Sequence, residues 1–180
     1  DGTISIIREL MRPSDQLISE ADDGIYDAMN KGIRRSSGPI VGIINSDDRI
    51  SNPGVLENIV KCFQDSIGIV YGGIRYISQD GTQLGDLWMP SEYPSGGFAT
   101  GWHPPHPGLF VRRDVYNAIG LYDTTKRTAA DFDWMLKAFE LYKIKSRRWG
   151  FLVADMRLGG ASDSWKGRLT GYREMKKSWI

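Results

Sequence analysis

Cysteine and histidine are scarce in this sequence. Its 180 residues include one cysteine, Cys62, and two histidines. A single cysteine excludes an internal disulfide, and no histidine lies near it in the sequence. We therefore interpret Cys62 as a packing residue rather than a nucleophile. The absence of a disulfide framework favours a cytoplasmic setting.

Long apolar runs and a strong charge bias are also missing. No run approaches the length that a membrane-spanning helix needs, and no signal peptide is visible. The 23 basic and 22 acidic residues give a formal net charge of +1, which provides no bias toward nucleic acid. We therefore expect no nucleic-acid partner. The length and the hydrophobic content of 41% predict one globular domain with a real core.

Helical and extended patterns alternate through the first seventy residues. Apolar spacing predicts helices over 3–11 and 24–36 and a buried strand over 40–44. Two further strands are predicted, at 16–19 and 67–71. Such alternation is typical of an α/β domain, with a mostly parallel sheet covered by helices.

The second half has a different character. A hairpin is predicted around Asp80-Gly81, and residues 90–107 form a long irregular segment of the kind that is often functional. The elements expected after it are a strand over 109–112, a helix over 113–119, a helix over 128–142, a strand over 150–156 and a C-terminal helix.

Two adjacent carboxylates follow the strand predicted over 40–44. In the run INSDDR these are Asp47 and Asp48. Ligands of open parallel sheets bind beyond the carboxyl ends of the strands, and crowded carboxylates share either a proton or a cation. Mg²⁺ or Mn²⁺ fits, because these ions accept one or two protein carboxylates and leave positions for water and phosphate. A simple turn explains the motif equally well.

The run SEADDGIYDAMNKGIRRSSGPIVGIINSDD resembles the nucleotide-sugar-binding half of family 2 glycosyltransferases, which have the GT-A fold. In that family a helix with an Asn-x-Gly element leads to a strand that ends in Asp-x-Asp or Asp-x-Asp-Asp. Asn30, Gly32 and the stretch from Asn45 to Asp48 match these elements in order and spacing. The resemblance implies an α/β domain with a Rossmann-like mixed sheet flanked by helices.

The family's acidic motif binds a divalent cation on the donor diphosphate and touches the ribose. The resemblance therefore implies that Asp48 is a metal ligand, with Asp47 on the metal or the ribose and Mg²⁺ or Mn²⁺ as cofactor. Asn30 is implied to belong to the donor site. This sequence departs from the family at Asn45, where Asp is more frequent, and the departure removes one charge from the motif.

The segment RTAADFDWMLKAFELY offers two aspartates. At about 100° per residue, Asp131 shares a stripe with Trp134, whereas Asp133 is expected to project toward solvent. Capping the helix is an alternative role for Asp131. Family 2 enzymes carry Glu-Asp or a similar pair here, with Ala130 replacing the first acid in this chain. The resemblance implies that Asp131 is the catalytic base, which removes the acceptor hydroxyl proton in an inverting transfer.

The loop HPPHPGLFVRRD contains both histidines. Pro104 and Pro105 prevent a helical metal pair between His103 and His106, and a surface turn is the alternative. The resemblance implies that His106 lines the substrate cleft. Trp102 is predicted either to stack on a sugar or to anchor the loop.

Further candidates for the donor site lie near the two ends of the chain. The run MRLGGASDSWKGR resembles the family's flexible loop over the donor, so Arg157, Lys166 and Arg168 are candidates for holding phosphate charge, unless they are ordinary surface residues. One of Asp22 and Asp23 is expected to cap the helix at 24. The other, for which Asp22 is the candidate, is expected to approach the nucleotide.

The resemblance covers nearly the whole chain but begins inside the family's pattern, in which a strand, a helix and a second strand precede Asp-Gly-Thr. We predict a single domain over 1–180, with 1–89 serving the donor and metal and 90–180 serving the acceptor and base.

The function implied is a metal-dependent inverting transfer of a sugar from a nucleotide-diphosphate donor to a saccharide or lipid-linked acceptor. Its setting would be polysaccharide or cell-envelope synthesis in the cytoplasm, with peripheral association at the inner face of the membrane. Two alternatives are a non-catalytic domain that binds a sugar nucleotide or carbohydrate, and a metal-dependent nucleotidyltransferase. The second requires a glycine-rich phosphate loop near the start of the chain, and none is visible.

Overall fold

A six-stranded mixed sheet with helices packed on it forms the fold. The computed structural model describes residues 2–64, 66–82, 84–159 and 165–179, with the backbone alone for 165–168. In chain order the elements are α1 (Thr3–Leu10), α2 (Ile25–Arg35), β1 (Ile40–Gly42), β2 (Arg49–Ile50), α3 (Val55–Cys62), β3 (Ile69–Ile77), β4 (Leu84–Trp88), β5 (Leu109–Arg112), α4 (Arg113–Ile119), α5 (Ala130–Leu136), β6 (Ser146–Arg157) and α6 (Trp165–Lys177). The strand order is β1-β5-β3-β6-β2, and β4 pairs with β3.

Strand directions differ from the expectation. Of the strand pairs in the described residues, only β3 and β6 run parallel, and the others are antiparallel. The prediction of a mostly parallel sheet is therefore wrong for this part of the chain, whereas the mixed α/β sheet implied by the resemblance is confirmed. The physical reason is β5, which inserts antiparallel between β1 and β3. As a result β1, β3 and β6 share one direction.

Both faces of the sheet are buried. Ile69 and Tyr71 of β3 belong to the apolar cluster under α2, α4 and α5. Val70 and Ile74 belong to a second cluster, which includes the buried face of α3. This alternation follows from the two-residue period of a strand, and it explains why the central strands read as continuous apolar runs.

Most predicted elements are confirmed with small shifts at their ends, including the strand at 109–112 and the helix at 113–119. The strand predicted at 16–19 is wrong, because these residues have no regular structure and no described strand pairs with them. The helix predicted at 128–142 begins two residues later as α5 and continues as a π-helical stretch over Lys137–Leu141.

An ion-pair cluster fixes β6 to its neighbours. Asp155 of β6 is buried, and its two carboxylate oxygens accept hydrogen bonds from Arg49 Nε and Arg75 Nε, both at 2.9 Å. The arginines belong to β2 and β3, so one carboxylate links three strands. The cluster lies two residues before Arg157, and it therefore holds the end of β6 in place.

Candidate active site

Several candidate residues meet at one edge of the sheet. Because β1 and β6 share a direction and β5 opposes them, the ends of β1 and β6 lie beside the start of β5. A cleft of about 380 Å³ opens there. Its lining includes Asp47, Asp48, His106, Asp131 and Arg157, which the sequence had suggested separately.

Asp48 is held rigidly at the floor of this cleft. Its Oδ1 accepts the backbone N–H of Arg157 at 3.1 Å, and its Oδ2 accepts a hydrogen bond from Asn45 Nδ2 at 3.1 Å. Burial raises the pKa of Asp48, the charge of Asp47 adds to the rise, and the two hydrogen bonds oppose it. Asp47 itself is exposed. Asn45 thus orients Asp48, where a third carboxylate would have added charge.

The acidic pair fits a divalent cation as a partial ligand set. Within the described residues, no group of three or more His, Cys, Asp or Glu side chains could hold a metal ion. Mg²⁺ and Mn²⁺ do not need one, because one or two carboxylates suffice when substrate phosphates and water supply the other ligands. Each oxygen of Asp48 accepts one hydrogen bond and retains a lone pair, so Asp47 and Asp48 would hold such an ion.

Asp131 lies in the first turn of α5 and faces the cleft. Its Oδ1 accepts a hydrogen bond from the hydroxyl of Tyr26 at 2.8 Å. Burial, followed by the charge of Asp131, raises the pKa of Tyr26 far above its usual value, so this hydroxyl stays protonated and only donates. Tyr26 therefore fixes one oxygen of the carboxylate.

A hydrogen-bonded chain of rings lies beside Asp131. His106 Nε2 is 3.0 Å from the hydroxyl of Tyr122, which in turn is 2.9 Å from the hydroxyl of Tyr116. Burial lowers the pKa of His106, against the opposing charges of Asp131 and Asp48, so its imidazole is neutral near pH 7. The chain holds the His106 ring at the cleft wall, where the resemblance implied it.

The turn before α5 is held by a distant element. Glu174 of α6 accepts the backbone N–H groups of Arg127, Thr128 and Ala129 at 2.9, 2.9 and 3.0 Å. Burial alone would raise the pKa of Glu174, but these hydrogen bonds outweigh it and lower the pKa. A negative charge near a helix N-terminus also interacts favourably with the helix dipole. Glu174 therefore fixes the turn that leads to Asp131.

Asp133 does not project toward solvent, contrary to the prediction from the helical wheel. Its side chain is buried, with the residue 5% exposed, and its oxygens pair with Lys126 at 3.0 Å and Lys137 at 2.8 Å. The prediction is wrong because α6 packs against α5 and covers this face. Asp133 is thus a structural ion-pair partner.

Asn30 does not face the donor side of the cleft. The residue is 2% exposed, its Nδ2 donates to the carbonyl of Tyr122 at 2.9 Å, and its Oδ1 accepts the N–H of Tyr122 at 3.0 Å. Because Asn30 is buried and both the nitrogen and the oxygen of its side-chain amide bind Tyr122, it cannot contact a donor directly. The implied contact is therefore corrected to a structural role, in which Asn30 joins α2 to the loop that carries Tyr122.

Replacing Asn30 by alanine is expected to destabilise the protein by about 2–3 kcal/mol, because the N–H and C=O of Tyr122 would stay buried without partners. Urea unfolding measures the effect. Asn58→Ala is the matched control, since Asn58 is exposed and makes a local hydrogen bond with Gly54. An equally small change in both variants would contradict the structural role of Asn30.

Asp22 and Trp102 lie outside the cleft lining. The Oδ1 of Asp22 accepts the N–H of Gly24 at 3.0 Å, so Asp22 stabilises the turn before α2. Its neighbour Asp23 lines an adjoining cavity of about 460 Å³. The approach of Asp22 to the nucleotide stays a prediction.

Trp102 anchors the long loop, which was one of its two predicted roles. Its ring lies 5.2 Å from that of Tyr93 and 5.7 Å from that of Phe139, measured between centroids. Its Nε1 donates to Ser91 Oγ at 2.9 Å. These contacts occupy the indole, so the stacking role on a sugar is not supported.

Of the three basic residues that are candidates for holding phosphate charge, the structure describes the side chain of Arg157. Arg157 lines the cleft, and its Nε is buried without a hydrogen-bond partner among the described residues. An anion in the cleft would satisfy it. The side chains of Lys166 and Arg168 lie outside the described part of the chain.

Sequence reasoning missed several cleft residues. Tyr26, Arg127 and Thr128 line the cleft, while Tyr122 and Glu174 position its walls. The apolar spacing that predicted the helix over 24–36 gave no reason to select Tyr26. The contacts of Glu174 span about 46 residues of sequence and carry no local signal.

Comparisons with known proteins support the family. The chain matches the family model described as Glycosyl transferase family 2 over residues 1–153. It is 30% identical over 125 residues to an uncharacterized glycosyltransferase of Mycobacterium tuberculosis, covering 67% of this chain and 46% of that protein. It is 24% identical over 148 residues to a PGL/p-HBAD biosynthesis glycosyltransferase of Mycobacterium bovis, covering 81% of this chain and 56% of that protein. The chain thus spans about half the length of these relatives.

The matched region contains the acidic pair, His106 and Asp131, so it includes most of the cleft. The structure independently has the mixed sheet, flanked by helices, that the GT-A fold requires. The match over most of the chain and the mixed sheet identify this chain as a member of the family 2 glycosyltransferases.

Proposed function

We propose that the chain carries the catalytic cleft of a metal-dependent, inverting glycosyltransferase. It would move a sugar from a nucleotide-diphosphate donor to a hydroxyl of a saccharide or lipid-linked acceptor. One observation carries the proposal: Asp131 shares a single cleft with Asp47 and Asp48. This reaction requires a carboxylate that is positioned as a general base. It also requires an acidic pair that can hold a cation on the diphosphate.

The proposed step begins at Asp131. Tyr26 holds one carboxylate oxygen, and the carboxylate takes the proton of the acceptor hydroxyl. The acceptor oxygen forms its bond to the anomeric carbon while the bond from that carbon to the phosphate oxygen breaks. The electron pair of the broken bond leaves with the nucleoside diphosphate. Asp47 and Asp48 would hold a divalent cation at the diphosphate end of the donor, where the cation would neutralise the developing charge and Arg157 adds positive charge.

We propose that 1–180 form a single domain. In it, residues 1–89 would bind the donor and the metal, and residues 90–180 would bind the acceptor and supply the base. The acidic pair comes from the first part and Asp131 from the second. Arg157 belongs to the second part but binds Asp48 through its backbone, so the two parts meet in the cleft.

For the acceptor and the setting we infer a biosynthetic role. One relative is named as a PGL/p-HBAD biosynthesis glycosyltransferase, which supports a biosynthetic role. We infer that this role lies in polysaccharide or cell-envelope synthesis at the cytoplasmic face of a membrane. No helix among the described residues is long and apolar enough to cross a membrane.

A thermal-shift panel of nucleotide sugars tests the proposal, with Mn²⁺ or Mg²⁺ in one arm and a chelator in the other. At a hundredfold excess over the dissociation constant, the matching donor should stabilise the protein by about 2.7 kcal/mol, and the chelator should remove the effect. The proposal fails if no nucleotide diphosphate stabilises the protein in a metal-dependent way.

A non-catalytic sugar-nucleotide-binding domain remains the second candidate, and Asn45 is the observation that favours it. Asn45 donates to Asp48 and contributes no charge to the motif. Turnover by the wild-type protein that disappears in Asp131→Ala, with donor binding retained, would exclude this candidate. The nucleotidyltransferase alternative loses its support because of the family match.

Replacing Tyr26 by phenylalanine should lower kcat by roughly tenfold and leave donor binding unchanged. The lost hydroxyl donates to Asp131 at 2.8 Å and orients the carboxylate that is proposed as base, and a hydrogen bond to a charged group is worth about 1.5 kcal/mol. Steady-state kinetics measures the change. Tyr116→Phe is the control, because the Tyr116 hydroxyl bonds to Tyr122 instead. An unchanged kcat in Tyr26→Phe would contradict the orientation of Asp131 by Tyr26.

A further inference from the structure

The helix α6 has one face that packs on the domain. Glu174 binds the backbone of the turn before α5, and Met175 packs against the core cluster under α5. Ser178, just after the helix, accepts a hydrogen bond from Lys126 Nζ at 3.0 Å through its Oγ. These contacts fix the orientation of α6 on the domain.

The opposite face of α6 is exposed, and it is both aromatic and basic. Tyr172 is 62% exposed and Trp179, just past the helix, is 48% exposed. Arg173 and Lys176 are exposed between them. At about 100° per residue these side chains share one sector, on the side away from Glu174 and Met175. Leu169 is exposed on the same sector, and Lys177 is exposed beside it.

The charge of this face is one-sided. Arg173, Lys176 and Lys177 are exposed cations, and Lys176 Nζ lies 6.0 Å from the centre of the Tyr172 ring. Among the described α6 side chains the single acid is Glu174, whose carboxylate accepts the backbone N–H groups of Arg127 and Thr128. The whole chain has a formal net charge of only +1, so the local excess is not a general property of the surface.

We propose that this face of α6, formed by Leu169, Tyr172, Arg173, Lys176, Lys177 and Trp179, docks on an anionic lipid surface. Tyr and Trp prefer the headgroup region because one end of each ring is apolar and the other polar. Basic side chains around them gain from the negative potential of an anionic leaflet. A helix that carries both lies in the plane of the interface.

Docking in this way would also serve the proposed function, on which this consequence rests. Glu174 joins α6 to the turn before Asp131, so a bilayer that holds α6 also holds the cleft at a fixed distance from the lipid headgroups. A lipid-linked acceptor could then present its hydroxyl to Asp131 from the same surface.

Co-sedimentation with vesicles tests the proposal. The protein should bind vesicles that contain phosphatidylglycerol much better than vesicles of phosphatidylcholine alone, and added salt should weaken the binding. The variant Arg173→Glu/Lys176→Glu/Lys177→Glu should bind roughly a hundredfold more weakly. The control Arg34→Glu/Arg35→Glu/Lys145→Glu has the same charge change at exposed residues of other elements, and it should lose much less.

A second variant, Tyr172→Ala/Trp179→Ala, keeps all charges and should also lose binding to anionic vesicles, which protects the test if the charge reversal impairs folding. Equal binding to both vesicle types, or equal losses in the α6 and control variants, would overturn the proposal. Binding of this face to an acidic protein, without binding to any vesicle, would also overturn the proposal. Donor-induced thermal shifts should be unchanged in the α6 variants, which separates this proposal from that of the donor site.

Discussion

Asp131→Asn is expected to lower kcat by about a thousandfold while leaving donor binding intact. Asparagine keeps the shape of the side chain and an oxygen that can accept the hydroxyl of Tyr26, but it cannot take a proton from the acceptor. Loss of a general base costs factors of about 10² to 10⁴. Steady-state kinetics with the donor found in the thermal-shift panel, and titration of that donor without acceptor, measure the two quantities.

Asp133→Asn is the matched control in the same helix. Asp133 pairs with Lys126 and Lys137 away from the cleft, so its loss should lower stability and leave kcat of the folded protein close to wild type. If Asp131→Asn and Asp133→Asn reduced kcat alike, or if Asp131→Asn kept most of its turnover, the assignment of Asp131 as base would be wrong.

Asp48→Asn should lower kcat/KM by about a hundredfold or more, and it should remove most of the metal dependence of donor binding. The asparagine oxygen can still accept the backbone N–H of Arg157, so the fold of the turn is retained. The negative charge that would hold a cation is lost, and transition-state charge stabilisation by a metal is worth several kcal/mol. Donor titrations at increasing Mn²⁺ concentration measure the change.

Asp86→Asn removes the same charge from an exposed position on β4 and serves as the control. Donor affinity and metal dependence should be unaffected there. A wild-type response to Mn²⁺ in Asp48→Asn would show that the acidic pair does not hold the cation.

The positions of the acidic pair and of Asp131 were accessible from sequence because both rest on local periodicity. The apolar run at 40–44 marks the position of β1, which ends at Gly42, so Asp47 and Asp48 were expected just beyond the end of this strand. The 100° step of a helix put Asp131 on an inward stripe. In both cases the resemblance then supplied the chemistry, and the structure brings the two sites into one cleft.

The failures all involve contacts between distant parts of the chain. The same helical step that selected Asp131 failed for Asp133, because α6 covers the other side of α5. The motif that contains Asn30 gave no sign of its partner, the backbone of Tyr122, which lies 92 residues away. Strand direction also depends on tertiary structure: local patterns identified β5 but could not reveal that it inserts antiparallel between β1 and β3.

The contact that Glu174 makes is of the same kind. The helix α5 has no side-chain cap hydrogen bond. The turn that precedes it, from Arg127 to Ala129, is held through its backbone N–H groups by a carboxylate from α6. Such a partner is found only when the two helices are seen together.

Manganese anomalous scattering from crystals soaked with Mn²⁺ and a nucleoside diphosphate would locate the cation relative to Asp47, Asp48 and Asp131. We expect one peak in the cleft, bound by at least one oxygen of the acidic pair and by the diphosphate, with the free side of the diphosphate directed toward Asp131. A diphosphate bound with its manganese away from Asp47 and Asp48, or outside the cleft that contains Asp131, would contradict the proposed site.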